Sequence, residues 1–145
     1  MIKYIFIIFF IFFSCDFLNK NQESNEDINI DVDEYFSFNT SNQVAFYFFD
    51  SVLVNNQLLD TTDWVGAFKN NICVGAKQWV CQGTCEVPIY GEYSLNDATS
   101  GYMLPGDFPS FKIYDSSENT YYDAIPSEQI PWQDGLMPVI DLLTH

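Results

Sequence analysis

Three cysteines lie close together in the middle of the chain, and a fourth lies near its start. Cys73, Cys81 and Cys85 fall within thirteen residues, whereas Cys15 follows an apolar run. Thiols can form disulfides, bind soft metals or act as nucleophiles, and their spacing separates these uses. Only Gln-Gly-Thr separates Cys81 from Cys85, and a glycine in so short a loop lets the two Cβ atoms approach to about 4 Å. The spacing favours a Cys81–Cys85 disulfide, with Cys73 as a small buried hydrophobic residue.

The other uses of these thiols fit the pattern less well. Structural zinc needs four ligands, and the only further soft ligand is His145, the last residue. A redox dithiol prefers C-x-x-C at a helix N-terminus, whereas this pair has one residue more and no helical pattern after it. His145 is also the only histidine available to a hydrolytic triad. We therefore expect no catalytic site, and nothing places two of the 20 acidic residues in a glycosidase cleft.

The first 14 residues have the pattern of an export signal. Lys3 precedes an unbroken apolar run that ends at Phe13, which is shorter than the about 20 residues that span a bilayer. The sequence FFSC at residues 12–15 resembles a bacterial lipobox, which implies that Cys15 is acylated. We expect an extracytoplasmic, membrane-anchored lipoprotein of the bacterial envelope or cell surface, with plain secretion and an uncleaved anchor as the alternatives. Export also favours disulfide formation, since disulfides persist outside the reducing cytosol.

The charge of the chain excludes one class of partner. Beyond the signal there are 20 acidic residues and four lysines, so the net charge is 4 − 20 = −16, and there is no arginine. Binding to nucleic acid depends on basic residues that displace counterions from phosphates. We therefore expect no nucleic-acid partner. The acidity favours solubility and mutual repulsion at a surface, with cation capture as the lesser alternative.

Composition divides the rest of the chain into two parts. Residues 15–34 are rich in acids and amides and poor in apolar residues, which predicts a disordered acidic tether. Residues 35–145 are enough for a single small domain. No part of it has apolar residues at helical spacing over ten positions, whereas short β-branched and aromatic runs recur between turn residues. We expect a nearly all-β domain.

Asparagine pairs and short polar stretches predict where the strands turn. Asn55-Asn56, Asn70-Asn71 and residues 115–119 each lie between two apolar runs, and asparagine tolerates the left-handed backbone of hairpin turns. Alternation in residues 72–80 places Ile72, Val74, Ala76 and Val80 on the core face and Cys73, Gly75, Lys77 and Trp79 on the other. Gly66 and Gly75 are predicted to make room for an aromatic ring, Trp79 or Tyr114.

Two sets of side chains are candidates for ligand binding. The loops at residues 60–63 and 115–119 are dense in hard oxygen ligands, so calcium is a candidate cofactor, although the same residues are common in turns. The calcium candidates are Asp115, Glu118 and Asn119. Exposed aromatic residues on a sheet can stack on sugars or anchor proteins, and otherwise they fill the core. The candidates are Trp64, Trp79, Tyr102, Tyr122 and Trp132.

Five short motifs together carry a family resemblance over residues 43–143. They are DWVGAF at 63–68, CVGA at 73–76, GYM with GD at 101–107, FKIYD at 111–115 and YYDA at 121–124. As a set they are similar to uncharacterised modules of secreted and surface proteins from marine and gliding bacteria. The resemblance implies an antiparallel β-sandwich, Ig-like or jelly-roll-like, and a role in extracellular adhesion or binding. It brings no catalytic residues.

These observations lead to one expected function and two alternatives. We expect a lipid-anchored, non-catalytic binding or adhesion module that touches the membrane through its N-terminal lipid and binds a protein or polysaccharide. One alternative is a carbohydrate-binding module that uses exposed aromatic residues. The other is a structural lipoprotein of the cell envelope.

Overall fold

The computed structural model of the protein describes residues 32–145, which form a mostly β domain. A single helical turn, α1 (Val32–Tyr35), precedes the strands, and a 3-10 helix (Asp97–Thr99) lies between β5 and β6. The strands are β1 (Val44–Val54), β2 (Gln57–Leu58), β3 (Trp64–Lys69), β4 (Ile72–Gln78), β5 (Cys85–Tyr90), β6 (Ser110–Asp115), β7 (Thr120–Pro126) and β8 (Val139–Thr144). The prediction of a nearly all-β domain is confirmed.

The three hairpins lie where the asparagines predict them. β1 pairs with β2 across Asn55-Asn56, where both residues have positive φ angles of 51° and 64°. β3 pairs with β4 across Asn70-Asn71, with Asn70 at φ 55°, and β6 pairs with β7 across a loop that ends at Asn119, at φ 51°. Left-handed backbone at these positions matches the twist of the flanking strands. Local turn chemistry therefore fixes three of the strand pairs.

The strands form one curled, mixed sheet. Its order is β2-β1-β8-β7-β6-β3-β4, and β5 pairs with residues 44–49, the first part of β1. β5 also lies beside β4, so the sheet curls into a half-barrel. β1 and β8 are parallel, so the prediction of purely antiparallel strands is wrong at this pair, while the sandwich stays a prediction. β8 is antiparallel to β7, the strand that precedes it, and residues 127–138 connect the two.

The main core fills the concave side of the curled sheet. Inward side chains of β1 alternate with half-buried ones, so that Ala45, Tyr47 and Phe49 are fully buried. Trp132, from the long connection before β8, is also fully buried and donates from its ring nitrogen to the Ile89 carbonyl at 2.9 Å. Its ring lies where a Cβ on Gly91 would be, so the glycine makes room for it.

A second apolar cluster lies on the convex side of β3, β4 and β6. It contains Phe36, Phe68, Cys73, Ala76 and Tyr114. The segment that follows α1 covers this face, and the Phe36 ring lies 2.5 Å from where a Cβ on Gly66 would be. The aromatic residue over Gly66 is therefore Phe36, neither Trp79 nor Tyr114 as predicted.

A β-bulge changes which face of β4 is buried. Ala67 pairs with Gly75 but Phe68 pairs with Cys73, so Val74 is the extra residue. After a bulge the alternation shifts by one position. Val74 therefore faces the main core while Cys73 and Ala76 share the convex side, and Ile72 and Val80 are exposed. The predicted core face of residues 72–80 is wrong for Ile72, Ala76 and Val80, and Trp79, predicted on the opposite face, belongs to the main core.

Several predictions fall on the first 31 residues. The signal at 1–14, the acylated Cys15 and all but the last residues of the tether at 15–34 lie outside the described residues. Helix α1 crosses the predicted boundary at residue 35, since it begins at Val32. Within residues 32–145, no helix is both long and apolar enough to cross a membrane.

Candidate binding cleft

The disulfide lies at one end of the curled sheet. Cys81 and Cys85 are bonded, with Cα atoms 5.8 Å apart, so the predicted pairing is confirmed. Gly83, at φ 103°, supplies the left-handed residue that turns the short loop. Cys85 is fully buried as the first residue of β5, and Thr84 donates to the Asp50 carboxylate at 2.7 Å. The disulfide therefore closes the loop at 81–85, and the hydrogen bond from Thr84 to Asp50 holds the loop against β1.

The contact between β4 and β5 keeps this loop in place. We call the facing residues Gly75 and Lys77 of β4 and Glu86 and Pro88 of β5 the seam. Lys77 donates to the Glu86 carboxylate at 3.1 Å, and a Cβ on Gly75 would collide with the Pro88 carbonyl oxygen. The Glu86 pKa is lowered by a backbone hydrogen bond and by the Lys77 ammonium. Backbone contact and an ion pair thus join the two edges of the half-barrel.

A cleft of about 340 Å³ opens beside the disulfide loop; we call it the apolar cleft. Leu58 is 72% exposed on its wall, whereas Trp79 is only 6% exposed. Its volume is in the range of ligand pockets. Because these strands pair antiparallel, the last residues of β1 and β4 and the first residues of β3 and β5 lie together near the cleft. The residues that line it are Asp50, Ser51, Val52, Leu58, Leu59, Asp60, Thr61, Trp79, Cys81, Gln82 and Gly83.

A smaller cleft of about 150 Å³ adjoins the first, and we call it the acidic cleft. The two share Leu58, Leu59 and Asp60, so β2 and the residues after it form the wall between them. The lining of the acidic cleft is Val54, Asn55, Gln57, Leu58, Leu59, Asp60, Asp63, Asp115, Ser117 and Glu118. The loops at 60–63 and 115–119, both predicted as oxygen-rich, meet here.

Hydrogen bonds hold the carboxylates of the acidic cleft in fixed positions. Asp63 is 5% exposed; one carboxylate oxygen accepts from the Asp60 amide at 2.7 Å and the other from the Ser116 amide at 2.9 Å. Asp115 accepts from the hydroxyl and amide of Ser117 and from the Glu118 amide. These donors, the Ser117 hydroxyl first, lower the pKa of Asp115. Asp115 therefore stays ionised at neutral pH as a fixed negative charge.

The three lysines of the described residues pair with acids that line neither cleft. Lys69 pairs with Asp107 at 2.7 Å, Lys77 with Glu86 at 3.1 Å, and Lys112 with Asp123. None of the residues that line either cleft is a lysine, whereas five of them are Asp or Glu. Residues 32–145 carry 3 lysines and 15 acids, a net charge of 3 − 15 = −12. The two clefts therefore lie in a region of uncompensated negative charge.

The predicted calcium candidates have hydrogen-bond partners within the protein. The Asn119 side-chain oxygen accepts from the Tyr114 hydroxyl at 2.9 Å, and Glu118 accepts from the Tyr122 hydroxyl. Across residues 32–145, the only group of three His, Cys, Asp or Glu ligand atoms within 4.8 Å of one another is Cys81, Cys85 and Glu86. Both sulfurs of that group are in the disulfide. Calcium binding by Asp115, Glu118 and Asn119 stays a prediction.

The predicted aromatic binding face does not form. Tyr102 and Trp132 are 3% and 0% exposed, so their prediction as surface ligands is wrong. Trp64 is half-buried beside Phe36 on the convex side, whereas Tyr122 packs with the main core. Trp79 is the predicted aromatic residue that lines the apolar cleft. The sheet thus distributes the five rings over two faces, because three of them are needed to fill the core.

The remaining thiol and the histidine lie outside the clefts. Burial raises the pKa of the Cys73 thiol to about 11, which makes it unreactive at neutral pH. The His145 ring packs on Tyr122, with centroids 4.4 Å apart, and its Nδ1 lies 3.0 Å from the Asp123 carbonyl oxygen. The imidazole is therefore held against Tyr122 and Asp123 of β7.

The cleft residues that the sequence does not single out are Asp50 and Leu58. Asp50 is a lone acid inside a long strand, and Leu58 follows a turn in a run that looks like ordinary core. The only local signal for Asp50 is its place as an acid in an apolar strand. The only one for Leu58 is the nearby asparagine pair of the turn. Comparisons of the chain with protein-family models, with curated proteins and with solved structures found no match.

Proposed function

We propose that the protein is a non-catalytic binding or adhesion module of the cell envelope, held at a membrane by an acylated Cys15 and a tether. The observation that carries the proposal is the apolar cleft, a concave site of about 340 Å³ whose wall presents a leucine that is 72% exposed. Concave sites with an apolar wall are the usual form of ligand-binding pockets in proteins. The rigid disulfide loop supports the same role, since a fixed wall reduces the entropy lost on binding.

The architecture of the proposed module is a β-sandwich closed on one side. Val87 and Ile89 of β5 belong to the same buried cluster as Val65 of β3 and Val74 of β4, and the two layers meet where β5 lies beside β4. Two layers with a shared core present their loops at the two ends, where sandwich modules bind ligands. The apolar cleft lies at one of these ends.

The carboxylates support binding more than catalysis. Asp63 and Asp115 use their oxygens for hydrogen bonds within the loops, and Asp115 has a lowered pKa. A general acid needs a pKa raised toward the working pH, which is the opposite direction. Fixed negative charges instead steer and orient a ligand.

The binding proposal is tested by screening the protein on arrays of peptides and glycans together with two variants. Leu58→Ser alters the cleft, and Leu95→Ser is the matched control, since Leu95 is 81% exposed and does not line either cleft. We expect at least one class of ligand to bind the wild-type protein and the Leu95→Ser variant but to lose binding to Leu58→Ser. If every ligand still binds to the Leu58→Ser variant, the protein does not bind its ligands in this cleft, and the proposal is wrong.

The anchor is tested by the intact mass of protein extracted from membranes. We expect a chain that starts at Cys15 with added acyl mass. Reduction should release two thiols, from Cys81 and Cys85, and Cys73 should react only after unfolding because burial raises its pKa to about 11. A mass without acyl groups would mean that the protein is secreted and is not a lipoprotein.

Carbohydrate recognition and a structural envelope role are the two alternatives. Glycans that bind with a shift in tryptophan fluorescence would favour the first, with Trp79 as the ring next to the ligand. Co-purification with an envelope component that does not depend on Leu58 would favour the second.

A further inference from the structure

We infer that the ligand of the apolar cleft is a segment of a partner protein that carries lysine or arginine next to an apolar side chain. The inference rests on the proposed function and adds the chemistry of the partner to it. It follows from the shape of the cleft, from its apolar wall and from the charges that surround it.

The apolar part of the cleft requires an apolar group in the ligand. Leu58 and Leu59 form its wall, and the largely buried Trp79 contributes a ring edge. Covering an exposed leucine removes apolar area from water, the main source of binding free energy for such a site. A free metal ion or a small inorganic cation cannot supply this contact. The volume of about 340 Å³ is also more than ten times the roughly 30 Å³ of one water molecule.

The charged part requires a cation. Asp50 and Asp60 lie in the lining of the apolar cleft, and Asp60 also lines the acidic cleft with Asp63, Asp115 and Glu118. The three lysines in residues 32–145 are each paired elsewhere. A basic side chain in the cleft would therefore meet acids without displacing a lysine of this chain. Complementary charge also accelerates association, over distances of about 10 Å at 0.1 M salt.

A basic protein segment combines both properties in one ligand. Lysine and arginine carry aliphatic stems that pack on apolar surface while the charged end reaches an acid or water. With such a stem against Leu58, the charged end can point to Asp60 in the wall between the two clefts. A neutral sugar offers ring faces but no cation, and an acidic polysaccharide would be repelled by the net charge of −12 (3 − 15).

The test is a calorimetric titration of the protein with three terminally blocked peptides of equal length. They are repeats of Lys-Leu-Ser, Lys-Ser-Ser and Glu-Leu-Ser. We expect Lys-Leu-Ser to bind at least about tenfold more tightly than Lys-Ser-Ser, because a leucine that packs on Leu58 removes apolar area from water. We expect Glu-Leu-Ser not to bind. Binding of Lys-Leu-Ser should weaken when the NaCl concentration rises from about 0.05 M to 0.5 M.

Variants locate the binding to the cleft. Leu58→Ser should weaken the binding of the Lys-Leu-Ser peptide about tenfold. The double variant Asp50→Asn with Asp60→Asn should weaken its binding by a similar factor at low salt. The matched controls Leu95→Ser and Asp141→Asn change exposed residues outside both clefts and should alter the dissociation constant less than about twofold. Every substituted position is exposed, and the more buried cleft residues Leu59 and Trp79 stay unchanged, so the variants keep the fold.

Three results would overturn the inference. Equal binding of Lys-Ser-Ser, or binding that the cleft variants and the controls weaken alike, means that only diffuse charge attracts the peptide. A glycan that requires Leu58 while no basic peptide binds leaves the proposed binding function standing and replaces the partner class. If neither peptides nor glycans depend on Leu58, the proposed function and this inference both fail.

Discussion

Gly75 lies at the closest approach between the two edges of the half-barrel. A Cβ there would overlap the Pro88 carbonyl oxygen, whereas a Cβ on Gly66 would meet only side-chain atoms, of the Phe36 ring and less closely of the Phe68 ring. A ring can tilt away, but a backbone carbonyl in a paired strand cannot. We expect Gly75→Ala to destabilise the protein by about 3 kcal/mol or more, and Gly66→Ala by about 1 kcal/mol. Urea unfolding followed by tryptophan fluorescence measures both.

Equal losses for the two glycine variants would mean that β5 can move away from β4. Measured binding of the peptides to Gly75→Ala adds a second readout, since the seam leads directly to the disulfide loop beside the apolar cleft. A shifted β5 would weaken binding, whereas a merely less stable protein would bind normally below its unfolding midpoint.

The sequence predicts single residues well where one local interaction decides. Cys81 and Cys85 pair because three intervening residues leave little choice, and Asn55 and Asn70 take positive φ values because asparagine tolerates them. It fails for Trp132 and Tyr102, whose burial depends on Gly91 and on the N-terminal segment, both distant in the chain. Leu58 is missed for the same reason, since only its neighbours in space show that it stays uncovered.

At the scale of elements, the short segment after α1 acts as part of the sheet domain. Phe36 is 4% exposed and packs on Phe68, with ring centroids 6.0 Å apart. Asn39 then donates to the Tyr102 hydroxyl at 2.7 Å. The segment therefore joins the predicted tether to the convex face of the sheet.

Replacing the ring that covers this face should be costly. We expect Phe36→Ala to lower the free energy of unfolding by about 3 kcal/mol, since it removes a buried aromatic ring. Phe108→Ala is the matched control, because Phe108 is 56% exposed and should lose less than about 1 kcal/mol. If both variants unfold at the same urea concentration, the segment does not contribute to the stability of the domain.

Two features of the elements depend on contacts that no sequence pattern reveals. The bulge at Val74 shifts the alternation of β4, so that Val74 faces the main core while Ala76, two positions later, lies with Cys73 in the convex cluster. The parallel pairing joins β1 and β8, the first and last strands, and the twelve-residue connection before β8, 127–138, is anchored by bonds such as the one from the Trp132 amide to the Asp107 carbonyl at 2.7 Å. Alternation predicts strands, but it does not predict a residue inserted into one.

For the whole molecule, the excess of acids and the ion pairs act in opposite directions. Residues 32–145 have a net charge of 3 − 15 = −12, so self-repulsion destabilises the folded state at neutral pH. Four carboxylates nevertheless have lowered pKa values because hydrogen-bond donors or lysines stabilise their ionised form. They are Glu86, Asp107, Asp115 and Asp123.

These pKa shifts determine how the protein responds to acid. The unfolded pKa is 3.8 for aspartate and 4.5 for glutamate. A carboxylate whose pKa is lower in the folded protein stabilises the fold at pH values above its unfolded pKa. This stabilisation is lost as the pH falls through the folded pKa. We therefore expect the urea midpoint to fall steadily from about pH 4.5 to pH 2. The Lys69 ammonium is the first cause of the Asp107 shift, so Lys69→Met should flatten this dependence. A midpoint that rises toward pH 2 in both proteins would show that relief of repulsion outweighs the four carboxylates.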